Sequence, residues 1–91
     1  MAKTKAERDY LDAVASLDCV ACGDRPVQVH HLRTGYGMSQ RAPHWLTVAL
    51  CPDCHYRLHH GDGLLRALKV TEHDLLARTI AGVWTQRRLD E

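Results

Sequence analysis

Phenylalanine is absent from the sequence, and other aromatics are few, with two Trp and three Tyr in 91 residues. A domain of this length with so little large apolar mass needs a staple beyond its hydrophobic core. No apolar run approaches the ~20 residues of a membrane-spanning helix, so no membrane partner is expected. The opening residues, from Met1 through Lys3 and Lys5 to Arg8, are charged and lack an apolar signal core, so a cytoplasmic setting is expected. Neither sign of charge dominates, 12 Lys+Arg standing against 11 Asp+Glu for a formal net charge of +1. There is no repeat longer than a Cys-x-x-Cys pair, no low-complexity stretch and no linker long enough to divide the chain. One domain over residues 1–91 is therefore expected. A hydrophobic share of 45% excludes a fully disordered tail.

What is abundant is histidine and cysteine, seven and four respectively. Six of the histidines lie from His30 to His60, and all four cysteines from Cys19 to Cys54. The central segment 30–70 carries a charge of +3, whereas 1–29 and 71–91 each carry −1. The basic excess thus coincides with the histidines, although a solvated mixed surface explains so small a swing equally well.

Thr4 and Glu7 form a T-x-x-E capping box, and Tyr10, Val14 and Leu17 recur with helical spacing, predicting a helix over about 4–18. Pro26 forbids a helix beyond it, and Val27 to His31 alternates like a short strand. Residues 32–45, with Gly35, Gly37, Ser39 and Pro43, read as a loop before a second strand over Leu46–Leu50. Pro52 and Asp53 suit a helix's first turn, and that helix should end by Gly61 or Gly63. Two strands and a helix make a ββα core over about 27–61. Leu64 to Val70 supplies a short helical turn. Thr71 and Asp74 open a last helix over about 71–88, with Leu75, Leu76, Thr79, Ile80, Val83 and Trp84 as its packing stripe. The fold class is therefore α+β, and the Trp and Tyr residues are assigned to packing.

The cysteines follow C-x2-C-x28-C-x2-C, as Cys19, Cys22, Cys51 and Cys54. Two such knuckles offer four thiolates to one tetrahedral zinc, a closed and therefore structural site. Its binding free energy becomes folding free energy, which is the staple the core lacks. A disulfide framework is disfavoured by compartment, and a thioredoxin-like pair by the absence of a βαβ pattern.

Among the histidines, His30 and His31 are strand neighbours, so they point to opposite faces and cannot share a role. His55 and His59 are four apart on a helix, so both rings leave one face. With one histidine from the strand they give three protein ligands and an open position, the form of a catalytic metal site. A histidine in place of one zinc-site cysteine is the other option. His44, His60 and His73 read singly as ordinary residues.

Val29-His30-His31-Leu32, a Gly-containing loop, and Leu50-Cys51-Pro52-Asp53-Cys54-His55 through His59 together resemble the HNH (His-Me finger, ββα-metal) nucleases of the zinc-knuckle type. The paired His and later H-x3-H are also similar to colicin-type DNases. The stretches from His30 to Gly37 and from His55 to Gly61 resemble, more narrowly, phage recombination-enhancement nucleases. The resemblance covers residues 19–61. It implies that His31 is the general base, that His30, His55 and His59 hold a catalytic divalent metal, and that double-stranded DNA is the substrate. It implies a bacterial or phage-infected cell as the setting, with a phage, recombination or packaging protein as a possible partner. The family's bracing Asn, about fifteen residues after the base, falls on Leu46; His44 is the nearest polar residue able to orient the base.

An imidazole with a pKa near ~6.5 can accept water's proton at physiological pH. Three imidazoles favour Zn, Ni, Co or Mn over Mg, although availability can reverse this order. Arg33 and Arg57 are candidate clamps for the phosphate; Arg41 and the other basic residues read as solvated surface. Three functions remain open: an endonuclease or nickase, a nucleic-acid-binding or adaptor domain without cleavage, and a zinc-ribbon protein-interaction module.

Overall fold

The computed structural model describes residues 3–36, 40–61 and 63–90. Gly37 and Ser39 of the expected loop lie outside the described residues. Helix α1 spans Lys5–Ala15. Its capping box is reciprocal: the Glu7 amide donates to Thr4 Oγ1 at 3.1 Å, and the Thr4 amide to Glu7 Oε1 at 2.9 Å. The helix stops short of the expected Asp18 because Ser16 takes over its end. The Ser16 hydroxyl donates to the Ala13 carbonyl at 2.8 Å, competing with the backbone bond that would continue the helix.

Strands β1 (Gln28–His31) and β2 (Thr47–Leu50) pair antiparallel, with His30 opposite Val48 and His31 opposite Thr47. Helix α2 (Pro52–His59) follows at once, and the Cys51 sulfur caps it by accepting from the Cys54 amide. α3 (Leu64–Leu68) is the short helical turn, and α4 (Glu72–Asp90) the last helix. Thr71 and Asp74 cap α4 reciprocally, at 2.8 and 3.1 Å. The protein is thus a small α+β fold, a ββα unit with helices before and after it. No helix among the described residues is long and apolar enough to cross a membrane.

All four residues of β2 are buried, and its two faces serve two cores. Val48 and Leu50 pack with Leu32, Leu64, Leu75, Leu76 and three of the cysteines. Ala49, on the other face, packs with Val14 of α1 and Val83 of α4. The α4 stripe is narrower than expected. Leu75, Leu76, Thr79 and Val83 are buried, but Ile80 and Trp84 turn outward, Trp84 to 59% exposure. Positions 80 and 84 lie roughly 100° around the helix from 79 and 83. Thr79 is in the stripe for its oxygen: Oγ1 accepts from the Ala49 amide at 3.3 Å, satisfying a β2 donor that faces away from β1. Of the aromatics assigned to packing, Tyr10 and Tyr36 pack against the two cores, whereas Trp45, Tyr56 and Trp84 are exposed and aliphatic residues fill the interior. α4 approaches the chain just beyond α1 at Gly82, where a Cβ would stand 3.2 Å from the Leu17 side chain.

Candidate metal centres

The sulfurs of Cys19, Cys22, Cys51 and Cys54 all lie within 4.8 Å of one another. None of the four cysteines is joined in a disulfide. The first knuckle is a tight turn: the Gly23 amide reaches the Cys19 carbonyl at 2.8 Å, and the Cys19 amide the Asp24 carbonyl at 2.9 Å. Gly23 sits at φ +88°, which a side chain would strain. A bond of 3.0 Å from the Val20 amide to the Ala49 carbonyl fastens this knuckle to β2. The second knuckle is the start of α2.

Three of these cysteines are buried and Cys22 is exposed. Burial opposes ionisation of Cys19, but backbone donors at Cys51, Cys22 and Ala21 outweigh it and bring the thiol down to about 7. Burial and the neighbouring sulfurs push Cys54 far the other way. Four crowded thiols therefore cannot all ionise unaided, and a cation at their centre resolves the conflict. The donor set is consistent with a closed, structural zinc ion.

A second group of possible ligands comprises His30, His55 and His59, whose ligand atoms also lie within 4.8 Å. His30 leaves β1 on the same face as Val48, toward α2, and its ring centre lies 5.1 Å from that of His55 and 5.3 Å from that of His59. His55 Nδ1 donates to the Gln28 side-chain oxygen at 2.7 Å, which leaves Nε2 with the lone pair. That Nε2 lies 3.0 Å from His59 Nε2. Arg33 donates to His59 Nδ1 at 3.0 Å. Burial, and then the neighbouring His30, lower the pKa values of both His55 and His59, favouring the neutral rings that metals bind. Exposure rises across the group, from buried His30 through half-buried His55 to exposed His59.

His31 leaves the same strand on the opposite face. Its Nε2 lies 2.9 Å from His44 Nδ1. The Thr47 hydroxyl, donating to the His44 carbonyl at 3.0 Å, holds that partner in place. Burial first, then the charges of Arg41 and His44, lower the His31 pKa. A cleft of about 370 Å³ is lined by His31, Arg33, Tyr36, Arg41 and His59. Arg41, read as solvated surface, is exposed and also lines this cleft. Arg57 is not brought there. It lies two positions from both His55 and His59, about 200° around the helix, and lines a separate groove with Leu58, Leu64 and Arg66. His60 stacks on Tyr56 with ring centres 4.0 Å apart, and His73 is exposed on α4.

Leu46, at the position expected to brace the loop, works through its backbone: its carbonyl accepts from the Leu32 amide at 2.9 Å. Sequence reading missed Glu72, the most highly connected side chain of the region. This buried carboxylate accepts from His30 Nε2 at 2.7 Å, the Arg33 amide at 3.0 Å, the Thr34 amide at 2.8 Å and the Thr34 hydroxyl at 2.6 Å. Burial raises its pKa, but those donors, Thr34 and His30 first, prevail and hold it at about 2. Thr71-Glu72-His73-Asp74 signals a helix start, and nothing in that pattern marks Glu72 as buried. Gln28 was detectable in principle, since strand alternation puts it on the His30 face.

Residues 2–79 match the model of a family described as "Protein of unknown function (DUF968)". No curated protein and no solved structure matches the chain.

Proposed function

The chain belongs to the DUF968 family, and we propose that it is a metal-dependent endonuclease or nickase of the HNH type, hydrolysing phosphodiester bonds of double-stranded DNA. The observation that carries this reading is the division of labour at the end of β1. One histidine enters a three-imidazole cluster, and the next faces a second histidine beside a cleft that His59 and Arg33 also line.

In this reading His31 is the general base. When its Nε2–H donates to His44 Nδ1, its own Nδ1 keeps a lone pair for the proton of the attacking water. His44 fixes that tautomer and the ring's orientation. Arg33, at the cleft, binds a phosphate oxygen. His30, His55 and His59 would hold the divalent ion, which when bound neutralises charge on the phosphate and stabilises the leaving 3′ oxygen. Their imidazoles suit Mn, Ni, Co or Zn, with Mg admitted by its abundance. One site cuts one strand per encounter, so a double-strand break takes two copies or two visits.

Leu46 favours a second reading, a zinc-stabilised nucleic-acid-binding or adaptor domain of the same fold that does not cut. Relaxation of supercoiled plasmid, with Mn, Mg, Ni or Zn and with or without EDTA, separates the two. The nuclease nicks the plasmid in at least one metal, and His31→Ala does not. Plasmid bound but intact in every metal leaves the adaptor; equal cutting by His31→Ala removes His31 as the base.

A further inference from the structure

We propose that Glu72 is a positioning residue of the histidine metal centre, orienting the His30 ring and anchoring the chain that carries Arg33. The inference rests on the reading above, that His30, His55 and His59 hold a divalent ion.

Glu72 lies on the first turn of α4, and His30 is 42 residues earlier at the end of β1. Both are buried, at 5% and 2% exposure. Four donor groups converge on the carboxylate, namely the His30 ring, the Arg33 and Thr34 amides and the Thr34 hydroxyl. Donors alone surround it, so it sits there as an anion. An acceptor opposite His30 Nε2 requires a proton on Nε2, so in the neutral ring Nδ1 keeps the lone pair. The ring is thereby set in the one tautomer that can ligate through Nδ1. A carboxylate behind a ligating imidazole also makes that imidazole a stronger donor to the metal.

The same carboxylate binds the Arg33 and Thr34 amides just beyond β1 and so sets where the Arg33 side chain departs. Thr34→Val is the control, because it removes the hydroxyl donor but keeps the His30 contact. In Glu72→Gln, by contrast, an amide NH₂ must face groups that already donate. A role confined to folding would make the two variants alike at the metal.

The test uses full-length protein with its cysteine site zinc-loaded. Ni²⁺ is titrated calorimetrically into wild type, Glu72→Gln and Thr34→Val. Ring ¹⁵N NMR on the wild type without Ni²⁺ reads the His30 tautomer. Glu72→Gln should weaken Ni²⁺ binding about 10–100-fold, and Thr34→Val less than about threefold. The spectrum should show His30 protonated at Nε2. A folded Glu72→Gln that binds Ni²⁺ like the wild type overturns the proposal alone, as does a His30 protonated at Nδ1. If Glu72→Gln does not fold, the wild-type spectrum decides. A wild type that takes up no Ni²⁺ overturns the underlying reading, and the proposal with it.

Discussion

The two ligand clusters share helix α2 but differ in what surrounds them. Cys54 and His55 are neighbours in sequence, and the roughly 100° between successive helix residues sends them to different centres. Around the cysteines, three of the four residues are buried, the first knuckle is bonded to itself and to β2, and the second is the start of α2. Four thiolates complete a tetrahedron, so nothing further can bind. The histidine cluster has one buried member, then opens through His55 to exposed His59 and the adjoining cleft. Three ligands would leave a coordination position open. A closed set of ligands holds a fold, and an open one on the same helix has a position left for chemistry.

The largest expected effect is on the closed centre. Stripping zinc with a strong chelator, or Cys51→Ser, should abolish cooperative unfolding and most far-UV circular dichroism, because structural zinc binding contributes roughly 10–16 kcal/mol. Retention of the native spectrum after zinc is removed would break the contrast. Acidification should have the same effect as chelation, since protons compete for the thiolates.

Next is the open centre. His31→Ala should reduce plasmid nicking about 10²–10⁴-fold while both metal sites stay filled. His55→Ala should lose one bound metal per chain by elemental analysis and keep the other, with zinc-dependent folding intact. Loss of both metals from His55→Ala would show that the two centres are not separable.

Smaller effects measure the scaffold they share. Thr79→Ala leaves the buried Ala49 amide without its acceptor and should cost about 1–3 kcal/mol in denaturant unfolding. Thr4→Ala removes the cap of α1 and should cost about 1 kcal/mol, without changing metal content.

Much of this was legible because it is local. The Thr4–Glu7 box, the Cys51-Pro52 start of α2 and the Thr71–Asp74 pair are contacts within one helical turn, so composition at fixed spacing specifies them. The opposed faces of His30 and His31 follow from strand alternation alone. What was less legible involved a second element. The helix turns Arg57, a candidate phosphate clamp, toward the groove beside α3. Trp84 and Ile80 were counted with a stripe whose width is set by what packs against it. Exposed Arg41 lines the cleft together with His31, a proximity that only the folded chain reveals.

By itself the sequence determined the ligands and their local geometry: two knuckles, a histidine pair on a strand and another on a helix. Those patterns depend on backbone repeats of two to four residues, which neighbouring side chains disclose. The family resemblance already grouped His30 with His55 and His59 and set His44 beside His31; tertiary structure alone decided that Glu72 of α4 reaches His30 of β1 across 42 residues. Such contacts form only when hydrophobic burial brings distant segments together, and a buried carboxylate is tolerated only where enough donors meet it.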